Sequence, residues 1–308
     1  MSATHGHAGH DHSVSADADL RWLRLALGLI VAFMTVEVAV AVVSGSLALL
    51  ADAGHMLTDA GAIGAGIWAV RLAARPASGS WTYGWKRAEI LSAAANGITL
   101  LVVAALVAFE SVRRLVHPDH VQGLPVLLVA LLGVAVNLAA TVALNRANRA
   151  SLNIEGAFQH ILTDLYGFIA TVVAGVVILA TGFARADSIA SLVVVVLMLR
   201  AAIVLLRDAG RILLEAAPEG VDLDAIRAHL MTPEHVLDVH DLHVWTVTSG
   251  LPAISAHVVL DDSCFVDNHA PELLDALQSC LIGCFDTEHS TFQLEPAEHA
   301  AHEVGAHP

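Results

Sequence analysis

Two five-residue phrases, His55-Met56-Leu57-Thr58-Asp59 and His160-Ile161-Leu162-Thr163-Asp164, each place an imidazole and a carboxylate four residues apart. On a helix that spacing stacks the two side chains on one face. Both phrases sit in apolar segments long enough to cross a bilayer, where ionisable side chains are costly and mark ion paths or proton relays. Brought together, the two pairs offer two nitrogens and two carboxylate oxygens, a tetrahedral set that suits Zn²⁺. A histidine merely packed against a neighbouring helix explains one such residue better than it explains two identical pairs. His55, Asp59, His160 and Asp164 are therefore the candidate ligands of a membrane carrier for a divalent transition metal. Asp52, three residues before His55, and Glu37, in the first apolar segment, are candidates to hold or orient them.

The elements that must position these groups are six apolar segments: Leu20–Val43, Leu47–Ala73, Ala88–Val112, Leu124–Asn145, Ile154–Thr181 and Ile189–Leu206. Each approaches or exceeds the roughly 20 residues of a spanning helix. The chain of 308 residues is 56% hydrophobic with a mean hydropathy of +0.68, too apolar for an ordinary soluble domain. With the N-terminus in the cytoplasm, the cytoplasmic flanks carry ten basic residues and the opposite side three (Arg113, Arg114 and Arg185), the bias that sets membrane orientation. Both termini are then cytoplasmic.

Charge divides the chain in two. Residues 1–212 hold 14 Lys+Arg against 13 Asp+Glu, whereas residues 213–308 hold one Arg against 17 Asp+Glu. So acidic a C-terminal portion argues against binding nucleic acid or anionic lipid there. It reads as a helix at Asp222–Leu230, strands at Val236–Thr248 and Ala253–Leu260 joined by a turn, a helix at Pro271–Ile282 and a strand at Thr291–Leu294. That αββαβ order fits a small α+β domain. The expected division is a His-rich polar tail over 1–19, a six-helix transmembrane domain over 20–212, an α+β domain over 213–296 and a His-containing tail over 297–308. The tails carry His5, His7, His10 and His12, then His299, His302 and His307, which could deliver or buffer metal. Cys264, Cys280 and Cys284 form no CxxC and read as free thiols. His302-Glu303 with His307 is one residue too long for a zinc-protease HExxH.

Several stretches carry a resemblance to the cation diffusion facilitator family, in its zinc-transporting branch. They are Gly45 through His55 on to Asp59; Tyr83-Gly84 with Arg87, Glu89 and Asn96; Gly156-Ala157-Phe158 leading to His160 and Asp164; and Val239-His240-Asp241-Leu242-His243-Val244-Trp245. The resemblance runs from about Leu20 to Glu295. It implies a homodimer of subunits with six transmembrane helices and a ferredoxin-like cytoplasmic domain, exporting Zn²⁺ in exchange for protons. The transport site it implies falls on His55, Asp59, His160 and Asp164, with His rather than Asp first as the zinc-branch form.

In the cytoplasmic domain the resemblance implies a regulatory Zn²⁺ site at His240, His257 and Glu295, with His289, His269 and His243 as weaker candidates. Strict strand alternation puts His240 and His243 on opposite faces. Metal there would relieve repulsion between two facing acidic domains. Relatives often carry a His-rich loop between the fourth and fifth helices, but residues 146–153 contain no His. Residues 76–86 lack His, Asp and Glu, so no site is expected between the second and third helices. That loop pattern and the lack of a targeting segment favour a bacterial inner membrane. Two other function classes compete: a membrane-anchored metal sensor and an intramembrane metalloenzyme, the latter needing an open metal position and a separate general base. Selectivity among Zn²⁺, Cd²⁺ and Co²⁺ is not fixed by this ligand set.

Overall fold

The structure, a computed structural model, describes residues 12–44, 47–117, 123–147, 151–183, 185–267, 269–285 and 289–300. His5, His7, His10, His302 and His307 lie outside the described residues, as do the side chains of His12, Glu37, Asp52 and His55. Packing divides the chain into two units, Met1–Ala209 and Gly210–Pro308.

Long runs of Ala, Leu, Val and Ile with few breakers produce the helices of the first unit: α1 (His12–Ser44), α2 (Leu47–Ala73), α3 (Ala88–Val116), α4 (Gly123–Leu144), α5 (Leu152–Thr181) and α6 (Arg185–Leu213), the last running on into the second unit. Helix α1 begins at His12, eight residues before the first apolar segment. Among the described residues, Ala88–Val116, Leu127–Leu144, Ile154–Thr181 and Ser188–Leu213 are long and apolar enough to cross a membrane. Their outer faces are apolar too: Phe109 is 72% exposed and Leu106 66%. A water-soluble protein would bury such side chains, whereas lipid solvates them.

The interior seams are specific. Leu23, Ile30 and Phe33 of α1 pack with Met56 and Ile63 of α2, Leu144 of α4 and Ile161 of α5. Gly133 admits the ring of Phe168, since a Cβ there would lie 2.5 Å from it, so α4 and α5 approach closely. The same ring meets Phe33 edge-on at 6.0 Å. Helix α5, which carries His160, is capped by Ser151, whose hydroxyl accepts from the Ile154 N–H at 3.4 Å and donates to the buried carboxylate of Glu89 in the first turn of α3. Gly182, at φ +73°, ends α5. In the α2–α3 connection Gly84 has φ +66°, and a Cβ on it would lie 3.0 Å from the Arg75 carbonyl, so only glycine suits that turn.

The second unit contains α7 (Leu223–Leu230), β1 (Val236–Thr248), β2 (Leu251–Leu260), α8 (Ser263–Val266), α9 (Ala270–Phe285), β3 (His289–Pro296) and α10 (Ala297–Ala300). The α-β-β-α-β succession matches the sequence expectation, with the four-residue helices α8 and α10 added. Asp222 caps α7 by accepting from the Asp224 and Ala225 N–H groups. The sheet runs β1-β2-β3, with β1 and β2 antiparallel across a Ser249–Gly250 turn. Strands β2 and β3 are parallel, which requires a crossover, and α9 lies within it. Ile226, Leu230, Ile254, Val258, Leu277 and Leu281 form the core of this unit.

The register corrects one expectation. His240 pairs with His257 and His243 with Ser255, so β1 spends three residues where β2 spends two. This β-bulge, marked by Asp241 at φ +49°, resets the alternation. Because His257 and Ser255 share a face, His240 and His243 do so as well, contrary to strict alternation.

Candidate metal centres

In the first unit, α2 and α5 bring Asp59, His160 and Asp164 together, with one ligand atom from each within 4.8 Å of the others. The i, i+4 spacing on α5 aligns His160 with Asp164, and α2 supplies Asp59 from across the seam. His160 Nε2 lies 2.7 Å from Asp59 Oδ1 and 3.7 Å from Asp164 Oδ2. Ligands around a tetrahedral Zn²⁺ at about 2.0–2.1 Å stand about 3.3 Å apart, so these separations bracket what such an ion needs. Asp59 and His160 are only 3% and 1% exposed. A buried carboxylate and imidazole with a second, partly buried carboxylate beside them in an apolar bundle are too expensive to serve as filler. The α2 backbone carries His55 four residues before Asp59, on the same helical face.

Beside this cluster lies a cavity with room for about one water, lined by Leu23, Ala62, Ile63, Gly66, Asn96, Ala157 and His160. Asn96 comes from α3. Its proximity to the histidine is not readable from sequence spacing, because the two residues lie 64 positions apart on different helices.

The second unit holds another cluster, His240, His257 and Glu295, again with one ligand atom each within 4.8 Å. Here the sheet does the positioning. His240 and His257 face each other across the β1–β2 ladder, and Glu295 lies two residues beyond Gln293, which pairs with His257 from β3. His240 Nε2 is 2.5 Å from Glu295 Oε1, and His257 Nδ1 is 3.9 Å from Glu295 Oε2. The Glu295 carboxylate is buried, whereas both imidazoles are partly open to solvent. Two further groups reach the rim: Asp241 Oδ2 lies 3.8 Å from His257 Nε2, and His299 Nε2 lies 3.6 Å from Glu295 Oε2. The place of Asp241 beside His257 has no periodic signal in the sequence, because a bulge turns it back toward the histidines.

The weaker candidates lie elsewhere. His243 is half exposed and contacts Asp241 at 3.1 Å. His269 contacts Glu272 at 3.2 Å and packs edge-on against His235. His289 opens β3, opposite Ala253 and six residues from Glu295. Away from both clusters, Asp261 accepts from the hydroxyl and amide of Ser263, and those bonds hold its carboxyl below the usual carboxylate range, with His235 adding to the effect.

Comparison with known proteins agrees with this two-part architecture. Residues 23–214 match the family model for the cation efflux transmembrane domain, and residues 218–297 match that for the cation efflux protein, cytoplasmic domain. Among similar proteins, a cadmium, cobalt and zinc/H(+)-K(+) antiporter of Bacillus velezensis is 34% identical over 293 residues, covering 94% of this chain and 93% of that protein. The metal cation efflux system protein CzcD of Cupriavidus metallidurans is 35% identical over 295 residues, 95% of this chain and 92% of its own. The zinc transporter ZitB of Escherichia coli is 36% identical over 295 residues, 94% and 92% of the two chains.

Proposed function

The chain belongs to the cation efflux family, and on that premise we propose that it exports Zn²⁺ from the cytoplasm in exchange for protons, with Cd²⁺ and Co²⁺ as related cargoes. The observation that carries the proposal is the convergence of buried Asp59 and His160 with partly buried Asp164 between α2 and α5. His55, on the same face of α2, completes a His₂Asp₂ set. Two neutral imidazoles and two carboxylates balance one dication. Once the metal has left, two carboxylates face each other out of water, and protons take its place. Metal and protons thus compete for the same atoms, and exchange follows when the site opens to each side in turn.

The proposed architecture has six transmembrane helices, a ferredoxin-like cytoplasmic domain, cytoplasmic termini and a bacterial inner membrane as its setting. The subunit works as a homodimer, and Zn²⁺ at His240, His257 and Glu295 draws the acidic cytoplasmic domains together. Relatives that include an antiporter and a zinc transporter support the transport reading.

The test is zinc uptake by purified protein in liposomes under an imposed pH gradient. Asp59→Ala and Asp164→Ala should each abolish uptake while the protein remains folded. Near-normal flux in both variants would remove the assignment.

A further inference from the structure

His160 presents Nε2 to the carboxylates, 2.7 Å from Asp59 Oδ1 and 3.7 Å from Asp164 Oδ2. A nitrogen that binds a cation offers its lone pair, so a neutral ring that ligates through Nε2 carries its proton on Nδ1. Nδ1 is itself buried and has no hydrogen-bond partner among the described residues. Ligating histidines almost always send this second N–H to an acceptor, which fixes both tautomer and ring orientation.

An acceptor stands across the cavity. Of the residues lining it besides His160, Asn96 alone brings a side-chain oxygen; the others are Leu, Ile, Ala and Gly. Asn96 Oδ1 is also buried and lacks a partner among the described residues. The Asn96 side chain lies against Gly156 of α5, where an added Cβ would stand 3.3 Å from Nδ2. Gly156 is four residues before His160, so it shares the imidazole's helical face one turn away. The space between holds about one water, and a buried water needs at least two polar partners.

We propose that Asn96 is a positioning residue for His160: a single water accepts the Nδ1–H of His160 and donates to Oδ1 of Asn96, locking the tautomer that leaves Nε2 free for the metal. This rests on the transport function proposed above and extends the site to a third helix. A Cβ at Gly156 would crowd both this amide, at 3.3 Å, and the Leu205 side chain, at 3.1 Å.

The experiment measures zinc-dependent uptake by the full chain in liposomes, for wild type, Asn96→Leu, Asn96→Val and Asn96→Asp. The first two variants remove the acceptor; the Asp variant keeps an oxygen at the same place. Asn96→Leu and Asn96→Val should raise the half-saturating zinc concentration about 10–100-fold, while Asn96→Asp stays within about threefold of wild type. Thermal melting of each variant identifies a folding defect, and two apolar replacements keep one such defect from deciding the result. Half-saturation unchanged in a folded apolar variant, or an Asp variant as impaired as the apolar ones, would overturn the proposal. Asp164→Ala runs alongside: normal uptake there defeats the transport assignment itself, separately from the role of Asn96.

Discussion

The two histidine–carboxylate clusters use nearly the same donors in opposite settings. In the membrane-domain cluster, His160 and Asp59 are buried, held by helices, and surrounded by apolar side chains. The cluster at His240, His257 and Glu295 hangs on a sheet, with one buried carboxylate and imidazoles that water reaches. Burial makes the first cluster intolerant of an unbalanced charge, so whatever leaves must be replaced. Solvent access would let the second gain or lose an ion without an obligatory exchange. The same donors would suit the proposed carrier site in one place and the proposed regulatory site in the other.

The sharpest way to break that contrast is to remove one imidazole from each cluster. His160→Ala should reduce zinc uptake by more than about a hundredfold, since loss of a proposed direct ligand should exceed the 10–100-fold typical of supporting residues. His257→Ala should leave uptake within about threefold of wild type at saturating zinc. Comparable losses in both would erase the proposed division of labour. Next in size, His160→Asp should exchange imidazole for a harder ligand and move preference from Zn²⁺ toward Mn²⁺, read from uptake across a panel of metals.

Glu295→Gln should abolish any zinc-induced compaction seen by small-angle scattering, because it removes the carboxylate charge from the sheet cluster. Full compaction in that variant would place the regulatory ion elsewhere. For the bundle itself, Gly133→Val drives a branched side chain into the Phe168 ring and should cost about 1–3 kcal/mol, measured as a lowered melting temperature. The smallest effect concerns Asp261, which belongs to neither cluster. Its carboxyl is held below its unfolded value, so its stabilising contribution is present above about pH 4 and fades as acid titrates it. Melting between pH 5 and pH 3 should therefore be less pH-dependent in Asp261→Ala.

What the sequence made legible differs between the units for a physical reason. The pairing of His160 with Asp164 is local, a direct result of 3.6 residues per turn, and needs no knowledge of neighbours. Strand β1 was readable over Val236–Thr248 because Val, Leu and Trp recur there between polar residues ahead of a turn. The face of His243 was not, because the bulge at Asp241 depends on how two strands register, which alternation within one strand cannot encode. Asn96 shows the same limit in the bundle. Its motif was visible, but its place beside His160 depends on α3 meeting α5 at Gly156, and each helix alone carries no trace of that meeting. The contact between Glu89 and Ser151 was hidden likewise, though a serine just before an apolar run already signals a cap.

The Phe168 ring seated in the notch at Gly133 bears on how such a molecule can move. A flat plug sunk into a neighbouring backbone resists both sliding and twisting, so α4 and α5 behave as one lever. Any rocking that presents His160 first to one compartment and then to the other carries α4 along with it, and the slippage falls on seams where no ring is keyed into a glycine.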